Sequence, residues 1–172
     1  MSWLSNNSGI MIDAAKLYEI DKASLGYGYG LTANSLQLAR AYSAFANEGV
    51  MIEPKLYLDD QIIRKRILTK SNADFILDSL RMTVLDGTAS NLKDEEVQIA
   101  GKTGTSEKYI EGVGYASEKY ISSFASIFPA QNPKYIMIVS IDEPDPNKYF
   151  GGDVSAPVVA RISKYMKRLK YL

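Results

Sequence analysis

The chain of 172 residues contains neither histidine nor cysteine. A Ser-His-Asp triad, a Cys-His dyad and a zinc site built on imidazole or thiolate ligands are therefore excluded. We expect neither a bound metal nor a cofactor. One acyl-transfer chemistry stays open, in which a lysine assists a serine nucleophile.

The composition also lacks a net charge and a long apolar run. Basic and acidic side chains are equal in number, 20 of each, which gives no reason to expect binding to nucleic acid or to a membrane surface. No stretch of about 18 apolar residues could span a bilayer, and no signal peptide is visible. Apolar residues make up 46% and charged residues 23%, so we expect one globular domain or a part of one.

Helical spacing of apolar residues is found in three places. The first two predicted helices cover about residues 35–47 and 72–85, the second with Ser71 as its N-cap. A third helix is expected after Ser155. It carries a stripe of large apolar side chains that we expect to lie on a sheet: Val158, Ile162, Tyr165 and Leu169.

Strand patterns dominate the second half. A hairpin is expected within residues 50–69, and an alternating run leads into Lys102. Two further strands are expected over residues 120–128 and 135–142, the latter so apolar that both of its faces should be covered. The predicted fold class is α+β, with an antiparallel sheet of three main strands covered by a C-terminal helix.

The segment Gly-Lys-Thr-Gly-Thr, at the end of the first predicted main strand, is the best candidate site. Lys102 supplies a positive charge, Thr103 and Thr105 supply hydroxyl donors, and Gly104 lets a ligand backbone approach the strand. A substrate could then lie alongside as an added strand. The same residues also fit a strand end with a solvated lysine. A phosphate-binding loop does not fit, because the glycine that it needs five positions before Gly101 is absent.

Other segments, in the same order along the chain, resemble penicillin-binding proteins. They are Gly28-Tyr29-Gly30-Leu31, Leu36-Gln37-Leu38-Ala39, Gly87-Thr88-Ala89, Phe124-Ala125 with Pro129-Ala130, Tyr149-Phe150-Gly151-Gly152 and Ser155-Ala156-Pro157. Together with the Lys-Thr-Gly motif, they resemble the C-terminal part of the transpeptidase domain of a class B, division-type member. The fold implied is a partial penicillin-binding-protein transpeptidase fold, which is β-lactamase-like.

This resemblance implies the substrate- and β-lactam-binding part of a peptidoglycan D,D-transpeptidase, which cross-links the cell wall by serine acyl transfer. Lys102 would act in catalysis, and Thr103, Gly104 and Thr105 would bind the substrate. The backbone N–H of Thr105 would form half of an oxyanion hole. Tyr109, in the loop that follows, is a weaker candidate for the rim of the site.

The serine that the family uses as its nucleophile lies in an S-x-x-K motif upstream of these segments. The single match here is Ser90-Asn91-Leu92-Lys93, which stands in the wrong order and in a polar stretch. We interpret it as a coincidence on the surface, since a lysine base needs a desolvated environment. The 172-residue polypeptide by itself is therefore expected to be inactive and to form no covalent adduct with a penicillin.

The family's S-x-N motif has one candidate, formed by Ser5, Asn6 and Asn7. A competing alignment without a gap makes residues 1–7 an unrelated leader. In that alignment, residues 8–172 form the C-terminal portion of the transpeptidase domain. Both alignments remain open at this point.

The resemblance also implies partners and a location. The implied partners are peptidoglycan stem peptides, β-lactams, the rest of the transpeptidase and cell-division proteins. The implied location is periplasmic, on the outer face of the cytoplasmic membrane, although this chain shows no membrane anchor. Because no N-terminal strand is evident, the strand over 135–142 is expected to have an open edge that pairs with another chain or with residues 1–20. A non-catalytic scaffold domain and a D,D-carboxypeptidase or β-lactamase relative are the alternatives.

Overall fold

A computed structural model describes residues 9–11, 17–26, 28, 30–110, 112 and 114–172. Along these residues the helices and strands follow in this order: β1 (Ile10–Met11), α1 (Glu19–Leu25), β2 (Leu31–Thr32), α2 (Ser35–Ala46), β3 (Val50–Ile52), β4 (Arg64–Arg66), α3 (Lys70–Asp86), β5 (Ala100–Ile110), β6 (Gly114–Phe128), β7 (Tyr135–Asp142), α4 (Gly151–Val154) and α5 (Ala156–Arg168). No helix within the described ranges is long and apolar enough to cross a membrane.

Helices α2 and α3 begin at side-chain caps. The Asn34 side chain accepts a hydrogen bond from the Gln37 N–H, and the Gln37 side chain accepts one from the Asn34 N–H, which closes a capping box. Helix α3 begins two residues before its predicted start, because Thr69 rather than Ser71 is the N-cap. The Thr69 hydroxyl accepts from the Asn72 N–H at 3.2 Å.

The main sheet is antiparallel, in the order β5-β6-β7, and the predicted fold class is confirmed. Strand β7 has its predicted bounds. Strand β5 is longer than predicted and differs in placement: Val97 and Ile99 precede it, and it continues through Lys102 to Ile110. The Lys-Thr-Gly motif therefore lies inside a long strand and not at a strand end. The hairpin expected within residues 50–69 is also present, as β3 paired with β4.

Each face of the sheet carries its own apolar core. On one face, Phe124 and Phe128 pack with α5 residues such as Val159. On the other face, Ile127 packs with Leu80 of α3 and with partly buried side chains of α2. Strand β7 takes part in both cores, as predicted. Its residues are at most half-buried, because among the described strands it pairs only with β6.

The face of α5 that meets the sheet differs from the predicted one. Three of the four residues in the predicted stripe are exposed: Ile162 at 39%, Tyr165 at 62% and Leu169 at 51%. The buried face consists of small and medium side chains: Ala156, Val159, Ala160 and Ser163. Small residues allow the helix axis to approach the sheet closely, so the apolar spacing alone indicated the wrong face.

The N-terminal part contains structure that the sequence pattern did not predict. Helix α1 was not foreseen, and β1 pairs with β2 instead of with β7. Of the glycine-rich segment between α1 and β2, the structure describes Gly26, Gly28 and Gly30, which lie in turns or bends outside the helices and strands. Gly28 and Gly30 have φ angles of +97° and +85°, which a residue with a Cβ rarely adopts.

Candidate functional site

A cleft of about 430 Å³ lies along β5. The residues that line it come from β5, from the turn after α3 and from the start of α4: Thr88, Lys102, Thr103, Gly104, Thr105, Phe150, Gly151, Gly152 and Asp153. The four residues selected from the sequence, Lys102 to Thr105, thus lie together in one cleft. The sequence did not single out the other five as site residues.

Strand β5 presents its polar groups at an edge of the sheet. Among the described strands it pairs only with β6, so its other edge faces the cleft. Thr103 and Thr105 are two residues apart and share one face of the strand. Lys102 is exposed, and its ammonium donates a hydrogen bond to the Thr103 carbonyl oxygen at 3.0 Å. A positive charge and two hydroxyl groups therefore lie along one short stretch of an open strand.

Hydrogen bonds fix the opposite wall of the cleft to the sheet. The Gly151 N–H donates to Thr105 Oγ1 at 3.1 Å, and the Ser122 hydroxyl donates to the Tyr149 carbonyl oxygen. The Ser155 hydroxyl donates to the Ser122 carbonyl oxygen at 2.9 Å. Ser155 thus occupies the predicted N-cap position of α5, but its side chain holds β6 instead of capping the helix.

Two glycines allow this wall to approach β5 and the turn after α3. A Cβ atom at Gly151 would lie 2.6 Å from the Gly104 carbonyl oxygen, and one at Gly152 would collide with the Thr88 carbonyl oxygen. These obstacles are backbone atoms, which cannot rotate away as a flexible side chain can. The sequence Gly-Gly at the start of α4 is therefore required for the narrow cleft.

The turn after α3 forms the third side. Thr88 Oγ1 lies 2.6 Å from Thr103 Oγ1, so the two hydroxyl groups share a hydrogen bond. The Asn91 side chain donates to the Gly152 carbonyl oxygen at 2.9 Å. These two bonds tie the turn to β5 and to α4, and they fix the position of Thr88 at the cleft.

An aromatic stack stands beside the cleft. Phe150 lines the cleft and is 56% exposed, and its ring centroid lies 4.5 Å from that of Tyr149. The Tyr149 ring stacks on Tyr120 at 3.8 Å, and burial is the main cause that raises the pKa of Tyr120. In the sequence, Tyr149-Phe150-Gly151-Gly152 served only as one of the segments that resemble penicillin-binding proteins. The structure adds an apolar surface that a ligand side chain could contact.

The acidic pair Asp142 and Glu143 has a structural role away from the cleft lining. Lys108 forms ion pairs with both carboxylates, at 2.8 and 2.9 Å, and Lys119 lies 3.3 Å from Glu143. Hydrogen bonds from Lys108 and Lys119 lower the pKa of Glu143, and those to Asp142 and Glu143 raise the pKa of Lys108. These pairs join the far part of β5 to the end of β7.

The remaining candidates from the sequence fall where the structure describes no side chain. The backbone of Tyr109 lies in β5 opposite Tyr115, and its side chain is outside the description. Ser5 and Asn7 also lie outside the described residues. Ser90 is exposed in a short 3₁₀ helix, in agreement with its interpretation as a surface serine.

The groups in the cleft are suited to an anion. The Lys102 ammonium and the hydroxyl groups of Thr103 and Thr105 can all donate hydrogen bonds. Asp153 at the rim is the single acidic residue in the lining. No cluster of potential metal ligands is found within the described part of the chain. The arrangement can therefore hold a carboxylate beside an extended peptide.

Residues 4–164 match the family model of the penicillin binding protein transpeptidase domain. The chain belongs to this family, and the resemblance inferred from the sequence is confirmed. It is 35% identical over 173 residues to the peptidoglycan D,D-transpeptidase FtsI of Buchnera aphidicola subsp. Schizaphis graminum. It is 33% identical over 159 residues to the probable peptidoglycan D,D-transpeptidase PenA of Neisseria gonorrhoeae. These matches include 97% and 90% of this chain, which spans 30% and 27% of the length of the two relatives.

Solved structures agree with this assignment. The transpeptidase domain of Burkholderia pseudomallei penicillin-binding protein 3 is 32% identical, with a TM-score of 0.81, and the match covers 94% of this chain and 50% of that one. Penicillin-binding protein 3 of Mycobacterium tuberculosis, solved in complex with aztreonam, is 26% identical with a TM-score of 0.77, over 95% of this chain and 41% of the other. The chain thus corresponds to about half of a solved transpeptidase domain.

Proposed function

We propose that this chain is the substrate- and β-lactam-binding part of a peptidoglycan D,D-transpeptidase. The observation that carries the proposal is the convergence of Lys102, Thr103 and Thr105 on one cleft at an open strand edge. The relatives named as peptidoglycan D,D-transpeptidases support the same reaction class. The substrate would be a stem peptide ending in D-alanyl-D-alanine.

Each group in the cleft then has a distinct role. The peptide lies antiparallel or parallel to β5 as an added strand, and its terminal carboxylate accepts hydrogen bonds from Thr103 and Thr105. Lys102 supplies positive charge to the proton network around the reacting carbonyl. The backbone N–H of Thr105 is one donor of the oxyanion hole, a donor type whose removal costs about 3 kcal/mol of barrier in comparable sites.

The attacking serine is not identified among these 172 residues. Ser90 in the S-x-x-K match is exposed, and Lys93 is exposed too, so neither has the desolvated environment that activation requires. In the proposed reaction, a serine from the remainder of a longer transpeptidase attacks the penultimate D-alanine carbonyl. The bond to the terminal D-alanine breaks, and that residue leaves with a proton on its amine. The acyl-enzyme is then resolved by the amine of a second stem peptide.

A peptide titration tests the binding role. The ¹⁵N-labelled chain is titrated with diacetyl-L-lysyl-D-alanyl-D-alanine and, as control, with the same peptide ending in L-alanyl-L-alanine. We expect the D,D peptide to shift the amide resonances of Thr103, Gly104 and Thr105 with a dissociation constant of about 1 mM, near the weak end of specific recognition. The L,L peptide should bind several-fold more weakly. Shifts confined to other surfaces, or equal affinity for both peptides, would contradict the proposal.

The proposed partners and location follow from the same assignment. They comprise β-lactams, the rest of the transpeptidase and cell-division proteins, on the periplasmic side of the cytoplasmic membrane. The proposed catalytic role of Lys102, the S-x-N role of Ser5 and Asn7, and the rim role of Tyr109 belong to this proposal as well.

We further propose that the free edge of β7 pairs with another chain. The strand is eight residues long, mostly apolar, and hydrogen-bonded within the described sheet on the β6 side only. Light scattering should show a dimer whose fraction rises with concentration, and hydrogen exchange should slow in β7 as the dimer forms. A monomer at all concentrations would refute self-association.

A further inference from the structure

The hydroxyl group of Thr88 lies within hydrogen-bond distance of the Thr103 hydroxyl, one of the two groups proposed to bind the carboxylate. Thr88 Oγ1 lies 2.6 Å from Thr103 Oγ1, and both residues line the cleft. The two residues are 15 positions apart in sequence, and they are brought together by the turn after α3. Neither the Lys-Thr-Gly motif nor the family resemblance assigns a role to Thr88.

The direction of the hydrogen bond between Thr88 and Thr103 decides whether Thr103 can donate to a ligand. A hydroxyl group has one proton to donate, and its oxygen can accept. Thr105 Oγ1 accepts from the Gly151 N–H, so the Thr105 proton is directed away from that bond and can be donated into the cleft. Thr103 has a proton for the cleft only when Thr88 is the donor of the shared bond. When Thr103 is the donor instead, its proton is already used.

We infer that Thr88 is a positioning residue for anion recognition: it donates to Thr103 and thereby directs the Thr103 proton into the cleft. This inference rests on the proposed function, since it concerns how the same cleft recognises a carboxylate. A chain of two hydrogen bonds, from Thr88 to Thr103 and from Thr103 to the ligand, also polarises each member and strengthens the second bond.

The consequence is selectivity for an acid over its neutral amide. With Thr88 as donor, the cleft presents the Lys102 ammonium and two outward-directed hydroxyl protons, all of which require an acceptor. A carboxylate satisfies them with two charged oxygens, whereas a carboxamide offers one neutral oxygen and an NH₂ group that cannot accept from any of these three donors. Asp153 at the rim could receive the amide NH₂, so the test includes a variant there.

The test compares N-acetyl-D-alanyl-D-alanine with its C-terminal amide, titrated against the ¹⁵N-labelled chain. The variants are Thr88→Val, which keeps the shape and removes the hydroxyl, and Thr88→Ser, which keeps the hydroxyl. Asp153→Asn removes the acidic acceptor at the rim. Ser90→Ala, which deletes an exposed hydroxyl group outside the cleft lining, is the matched control. We expect Thr88→Val to weaken binding of the acid about fivefold with little effect on the amide. Thr88→Ser should restore acid binding, Asp153→Asn should not weaken it, and Ser90→Ala should leave it within about twofold of wild type.

The outcomes separate the inference from the proposed function. If the unmodified chain does not prefer the acid, carboxylate recognition itself fails, and the role of Thr88 falls with it. If the chain prefers the acid and Thr88→Val retains that preference, only the inference is overturned. Equal loss of acid and amide binding, without rescue by Thr88→Ser, would indicate a merely structural role and would also overturn it. Amide spectra and urea midpoints report whether Thr88→Val is folded, and Thr88→Ala serves as a second hydroxyl-free variant.

Discussion

Replacing Gly152 with alanine is expected to lower the free energy of unfolding by about 3 kcal/mol, at the upper end of the usual cost of overpacking. The added Cβ atom would collide with the carbonyl oxygen of Thr88. Relief requires α4 to move away from the turn after α3, which would strain the hydrogen bond from Asn91 to the Gly152 carbonyl oxygen. The measurement is a urea denaturation curve, because its midpoint and slope give the free energy of unfolding.

Asp153→Ala is the control for this substitution. Asp153 is the next residue of α4 and is exposed, so its replacement should change the free energy of unfolding by less than about 0.5 kcal/mol. The Gly152→Ala protein should also bind the D,D peptide more weakly, because the two walls of the cleft separate. A Gly152→Ala protein as stable as wild type would show that the wall of α4 is not held against Thr88.

Replacing Thr105 with valine is expected to weaken binding of the D,D peptide at least tenfold. The substitution removes a proposed donor to the carboxylate, and hydrogen bonds to charged groups contribute about 1.5–3 kcal/mol. It also removes the acceptor of the Gly151 N–H, a group that is buried in α4. An unsatisfied buried N–H costs about 1–3 kcal/mol, so stability should fall in the same variant.

Thr105→Ser is the matched control, because it keeps the hydroxyl that serves both purposes. It should retain the affinity of the wild-type chain within about threefold and most of its stability, so that the valine effect is assigned to the hydroxyl group. The affinities come from the same peptide titration and the stabilities from urea denaturation. If Thr105→Val binds the peptide as the wild-type chain does, the proposed carboxylate contact is wrong.

The sequence predicted those elements whose signals are local. Helix α2 was placed within a residue or so because a polar cap and an amphipathic stripe occur together, and β7 was placed correctly because a run of apolar residues is bounded by turn residues. The start of α3 was two residues late, since Thr69 and Ser71 are both chemically suitable caps. Only the backbone conformation decides between two hydroxyl side chains so close together.

Elements that depend on tertiary contacts were missed or misread. Most of β5 after Lys102 is polar, and its strand conformation is stabilised by pairing with β6 over its length. The face of α5 was misread because its large apolar side chains have helical spacing, whereas the residues that meet the sheet are small. Propensity and periodicity contain no information on which of two stripes faces a neighbour.

In the cleft, too, the sequence predicted the residues with a local signal and missed those that depend on tertiary contacts. The Lys-Thr-Gly-Thr segment could be selected from the sequence because its residue types and order form a known motif. Thr88, Phe150 and Gly151 could not be assigned to the same cleft by spacing, since they reach it from distant parts of the chain. The bond between Gly151 and Thr105, for example, joins residues 46 positions apart. Such contacts follow from the fold as a whole.

The most direct test of the central claim is a crystal structure of this chain with diacetyl-L-lysyl-D-alanyl-D-alanine. We predict that the peptide lies along the free edge of β5, with its terminal carboxylate within about 3 Å of the hydroxyl oxygens of Thr103 and Thr105, the usual hydrogen-bond distance. A peptide bound elsewhere, such as on the exposed face of α5, or one whose carboxylate points away from these two hydroxyl groups, would contradict the account.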